Sequence, residues 1–119
     1  MSTQILVVDD DPAIRTVVAE VLADEGYAIR TASNGEEALR TIDEATPALV
    51  LLDMRMPVMD GWGFASALRD RGFDLPILVM TAAQDAAQWA REVGAVGALA
   101  KPFDLNDLLD IVERTLRSR

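Results

Sequence analysis

Apolar residues along the chain follow two periods. Three short runs, Ile5 to Asp9, Leu49 to Asp53 and Ile77 to Thr81, are apolar at successive positions and end in a polar residue. Successive side chains of a strand face opposite ways, so such runs suit strands covered on both faces, as at the centre of a parallel sheet. Tyr27 to Ala32 and Val96 to Lys101 are less continuous and predict weaker strands. Between the runs, apolar positions shift to helical spacing. Ile14, Val17, Val18, Val21 and Leu22 mark a first helix, ended by Gly26. Asn34 suits the N-cap of a second, which carries Ala38, Leu39 and Ile42. Phe64, Ala65 and Leu68 mark a third, stopping before Gly72. Ala86, Trp89, Ala90 and Val93 mark a fourth, closed by Gly94, and Leu105, Leu108, Leu109, Val112 and Leu116 a fifth.

Strand and helix alternate five times, which predicts a doubly wound α/β domain with helices on both faces of a parallel sheet. Ligands of such sheets sit at the carboxyl ends of the strands, at a switch in strand order. The polar residues there are Asp9 and Asp10 after strand one, Asp53 after strand three, Thr81 after strand four and Lys101 after strand five. Asp11, just before Pro12, reads as a helix N-cap. Carboxylates gathered at adjacent strand ends raise one another's pKa values, and a hard divalent cation removes the conflict. Magnesium takes oxygen ligands, with one or two carboxylates and several waters. Asp10 and Asp53 suit direct ligation, and Asp9 ligation through water. Lys101 is the chain's one lysine, and a compact point charge at a strand end points to a phosphate or carboxylate partner. Thr81 by itself is uninformative.

Composition narrows the chemistry. The 119 residues fit one domain, and with half of them hydrophobic a core forms without staples. The chain has no cysteine and no histidine, which excludes disulfides, thiolate metal sites, a histidine base and a phosphohistidine. A net charge of −9 repels nucleic acid phosphates. The N-terminal apolar run is too short for a signal peptide or a membrane span, so a cytoplasmic protein is expected.

Four segments taken together resemble the receiver domain of bacterial two-component response regulators. They are Ile5-Leu6-Val7-Val8-Asp9-Asp10-Asp11-Pro12; Leu52-Asp53-Met54-Arg55-Met56-Pro57 with Met59-Asp60-Gly61; Met80-Thr81-Ala82; and Lys101-Pro102-Phe103. The resemblance covers essentially the whole chain, residues 1–119, as one receiver domain. It implies a flavodoxin-like (βα)5 fold with a five-stranded parallel sheet of order 2-1-3-4-5. It implies Asp53 as phosphoacceptor, Asp10 as magnesium ligand with Asp9 its acidic companion, and the backbone carbonyl of Arg55 as a further metal ligand. Thr81 matches the hydroxyl that bonds the phosphoryl group and Lys101 the lysine that pairs with it, with a Lys101–Pro102 bond that is usually cis. The implied partners are a sensor histidine kinase or phosphotransfer protein as donor and a downstream protein target on the face of the fourth helix, fifth strand and fifth helix. The implied state is a monomer or a weak phosphorylation-dependent dimer, catalysing only its own phosphorylation and dephosphorylation.

The chain departs from the pattern at Ala98, where many members carry an aromatic that swings inward. Output must then run through the loop after Thr81 or through packing around Trp89 and Phe103. Trp89 reads either as an inner-face residue of its helix or as an interface residue. Arg55 and Ala83 flank the pocket at positions that tune phosphoryl lifetime in this family, and Arg55 reads as a solvated loop arginine. Trp62 reads as a loop anchor, and Met54, Met56 and Met59 as filler. Competing readings are weaker. A haloacid-dehalogenase-type enzyme needs a second aspartate two residues past its nucleophile, where this chain has Arg55. The phosphate loops G-x-G-x-x-G and G-x-x-x-x-G-K-[ST] are missing. The intact pocket argues against a receiver-like domain that only binds partners.

Overall fold

A computed structural model of the chain describes residues 2–82 and 84–118. The strands are β1 (Gln4–Val8), β2 (Ala28–Ala32), β3 (Leu49–Asp53), β4 (Ile77–Ala82) and β5 (Gly97–Lys101). The helices are α1 (Pro12–Asp24), α2 (Gly35–Glu44), α3 (Gly61–Asp70), α4 (Ala86–Val93) and α5 (Leu105–Arg117), so the predicted alternation holds throughout. β1 stops one residue earlier than its apolar run suggests, and Asp9 stands just beyond it.

All strand pairs are parallel, in the order β2-β1-β3-β4-β5. The three continuous apolar runs are thus the inner strands and the two weaker ones the edges. An inner strand has helices above and below and tolerates no polar face, whereas an edge strand meets water on one side. Alternate residues feed two cores. Even-numbered Leu6, Val8, Val50 and Leu52 pack with Leu39 and Ile42 of α2, Phe64 and Leu68 of α3, and Trp89 and Val93 of α4. Odd-numbered Ile5, Val7, Leu49 and Leu51 pack with Val18 and Leu22 of α1 and Leu108 and Val112 of α5.

Local chemistry sets the helix ends. Asp11 caps α1, accepting from the backbone N–H groups of Ala13 and Ile14, with Pro12 opening the helix. Asn34 accepts from the Glu37 N–H, and Asp60 from the Gly63 N–H. Gly94 ends α4 at φ 71°, a left-handed turn that costs glycine little. Among the described residues, no helix is long and apolar enough to cross a membrane.

Candidate functional site

Strand alternation aims the site. Asp9, Asp53 and Lys101 have the parity of Val7, Leu51 and Leu99, so the ends of β1, β3 and β5 present all three on the α1/α5 side of the sheet. Their charges meet there. Lys101 Nζ donates to Asp9 Oδ2 at 2.7 Å and lies 3.6 Å from Asp53 Oδ2. Asp9 is 0% exposed, and its other carboxylate oxygen accepts the Asp11 N–H at 2.9 Å. Its backbone carbonyl accepts from Arg15 Nη1 on α1 at 2.7 Å. Asp10 is exposed, yet it offers a carboxylate oxygen within 4.8 Å of oxygens from Asp9 and Asp53.

Burial, with the Asp9 carboxylate beside it, pushes the Asp53 carboxyl from its ordinary 3.8 up to about 6. The Lys101 ammonium and the Arg55 backbone N–H oppose that rise, and Asp10 adds to it. For Lys101, burial disfavours the ammonium, but the hydrogen bond to Asp9 and the charges of Asp53 and Asp9 outweigh it and hold the group above its ordinary value. Three carboxylates and one ammonium sum to −2 in one hollow. That donor set, all oxygen and incompletely neutralised, fits a hard divalent cation.

The loop after β3 is held tightly. Gly61 N–H donates to the Met54 carbonyl at 2.9 Å. A Cβ on Gly61 would lie 2.8 Å from Met54 Cα, so only glycine lets α3 start against the loop that follows β3. Beside the acidic hollow a cleft of about 350 Å³ opens, lined by Asp10, Arg55, Asp60 and Trp62 among others.

The structure therefore brings Asp9, Asp10, Asp53 and Lys101 together. Thr81 is buried at the end of β4, one residue past Met80, which pairs with Asp53. It has the parity of Val79, on the α2/α3/α4 side. The Lys101–Pro102 peptide is cis. Ala83 lies outside the described residues.

Three side chains depart from the sequence reading. Arg55 is exposed but not free in solvent, because its guanidinium lies over the Trp89 ring, 5.0 Å from the centroid. Trp62 is no loop anchor; it sits in the first turn of α3, with its ring edge-on to Trp89 at 4.9 Å. Arg15 was not singled out at all. A helical arginine carries no sequence signal that it will reach back to a strand-end carbonyl.

Known proteins resemble the chain in sequence and in fold. A family model described as the response regulator receiver domain matches residues 5–113. The chain is 38% identical to sporulation initiation phosphotransferase F of Bacillus subtilis, over 98% of this chain and 95% of that protein. It is 41% identical to the DNA-binding transcriptional regulator NtrC of Escherichia coli over 92% of this chain, which spans about a quarter (24%) of that relative's length. Among solved structures, chemotaxis protein CheY4 of Vibrio cholerae superposes with a TM-score of 0.87 at 36% identity, covering 96% of this chain and 98% of that one. The receiver domain of NtrX from Brucella abortus does so with a TM-score of 0.88 at 33% identity, covering 97% and 99%.

Proposed function

The chain belongs to the response regulator receiver family, the switch module of two-component signalling, and from that premise we propose that Asp53 is its phosphoacceptor, with Thr81 and Lys101 as the groups that bind the phosphoryl oxygens. The observation that carries this reading is the convergence of Asp9, Asp10 and Asp53 within 4.8 Å, with the Lys101 ammonium between two of them. Residues 1–119 act as a single receiver domain.

The Asp53 carboxylate attacks the phosphorus of a phosphohistidine on a sensor histidine kinase or phosphotransfer protein. A P–O bond forms to the carboxylate. The P–N bond breaks, and its electron pair stays on the imidazole nitrogen, which takes a proton. Lys101 lies 3.6 Å from Asp53 and meets charge that develops on the transferring oxygens. The Arg55 N–H holds the Asp53 carboxylate, so positioning precedes the reaction. Asp10 and Asp53, with the Arg55 carbonyl, would hold magnesium, and Asp9 would support it. Bound there, magnesium neutralises the carboxylates and the phosphoryl oxygens.

The product is an acyl phosphate that water later cleaves, so the chain catalyses only its own loading and unloading. The new oxygens draw in Thr81 and shift the population between two conformations. A downstream protein reads the α4-β5-α5 face. Ala98 is partly buried against the α2/α3/α4 core and supplies no swinging ring there, so α4 and the loop before it carry the change. The protein acts in the cytoplasm as a monomer or weak phosphorylation-dependent dimer. Its charge of −9 disfavours direct nucleic acid binding by this chain.

Incubation with acetyl phosphate and MgCl2, read by intact mass, is expected to add one phosphoryl group, and Asp53→Asn to abolish the gain. Label that persists on Asp53→Asn, or no label on the wild type, would refute the assignment.

A further inference from the structure

Arg55 stands two residues past Asp53, donates its backbone N–H to that carboxylate, and lines the same cleft as Asp10. A long cation there, next to a hollow of net negative charge, is drawn to the carboxylates, and a guanidinium fork fits a carboxylate well. Seated among them it would be a built-in counter-ion in competition with any divalent cation. In the structure it sits elsewhere. Among the described residues Arg55 forms no ion pair. Its guanidinium lies over the face of Trp89 instead, at 5.0 Å.

That seat is braced. Trp89 is buried on the inner face of α4. Trp62 meets it edge-on, with an interplanar angle of 68°. Trp62 Nε1–H donates to Glu92 Oε1 at 2.9 Å, and Gln88 Nε2 donates to the other Glu92 oxygen at 3.1 Å. Two helices thus fix the ring, and indole is the side chain whose face attracts a cation most strongly.

We propose that Trp89 is a positioning residue for the acidic hollow: its ring holds the Arg55 guanidinium away from Asp10 and Asp53 and so keeps those carboxylates open to a divalent cation. The proposal rests on the magnesium reading above and adds to it a residue that touches neither metal nor phosphoryl group.

The test is a mutant cycle read by calorimetric titration with MgCl2. Trp89→Leu is expected to weaken magnesium binding about two- to fivefold, a size set by the strength of one exposed cation–π contact. Trp89→Phe should fall between, and in an Arg55→Met background Trp89→Leu should change nothing. Equal weakening in that background, or none in the wild-type background, overturns the proposal. A wild-type chain that takes up no magnesium overturns the proposed function together with it. Should Trp89→Leu fail to fold, NMR on the unmodified chain decides. Ring currents of Trp89 should move the Arg55 side-chain protons upfield with and without MgCl2, and unshifted protons reject the stack.

Discussion

The two sides of the acidic hollow are built differently. On one side Asp9 is fully buried, with its carboxylate already satisfied by Lys101 and the Asp11 N–H. On the other, Asp10 faces solvent, and the Arg55 guanidinium that lines the same cleft is parked on an aromatic ring. The closed side is part of the fold. The open side is free to take a ligand. Asp53 stands between them, touching the closed side through Lys101 and the open side through its own incomplete neutralisation.

The comparison breaks most visibly at Lys101. Lys101→Met leaves Asp9 buried without its cation, and losing one partner of a buried pair costs about 3–5 kcal/mol. Urea unfolding should show an unfolding free energy lowered by that amount and a midpoint lowered with it, and an unchanged midpoint would mean the closed side contributes nothing to the fold.

Asp53→Asn comes next, and its sign is opposite. The folded carboxyl titrates near 6 and the unfolded one near 3.8, so the folded state binds protons more tightly. The penalty for charging Asp53 is therefore fully present above about pH 6 and fades as pH falls toward 3.8. At about 1.36 kcal/mol per unit, the amide variant should gain up to about 3 kcal/mol at pH 7.5 without metal. That gain should vanish near pH 4, and a gain independent of pH would point to packing instead. By the same sign, magnesium affinity of the wild type should fall as pH drops through about 6, where protons compete for Asp53.

Asp10→Asn sharpens the contrast with the smallest change in stability. An exposed carboxylate contributes within about 0.5 kcal/mol, so the apo fold should be unmoved. The rise in Tm that MgCl2 gives the wild type should nevertheless be lost. A variant that keeps this rise would place the ligand elsewhere.

Much of the architecture could be read from local pattern. Inner strands announce themselves because burial on both faces forces continuous apolar runs, as in Leu49 to Leu52, and the edges are weak for the complementary reason. Asp11 and Asn34 were legible as caps because the bond that defines a cap spans only two or three residues. The acidic strand ends Asp9, Asp10 and Asp53 could be read from the chain as a cation site, but the strand order and the parts expected of Thr81 and the Arg55 carbonyl came from the family resemblance, since no periodicity tells which strands are neighbours. The seat of Arg55 was not legible at all. It depends on how α4 is rotated against the β3–α3 loop, across 34 residues of chain, and a tryptophan at helical spacing looks the same whether or not a cation lies on its face.

The composition carries one practical corollary. The chain's only ε-amine is that of Lys101, and it is four-fifths shielded, with its side chain 19% exposed. Apart from the α-amino group, an acylating reagent therefore has a single target, held protonated and unreactive by the aspartates around it. Modification of that nitrogen in the folded protein would report, without any introduced label, each time the hollow loosens.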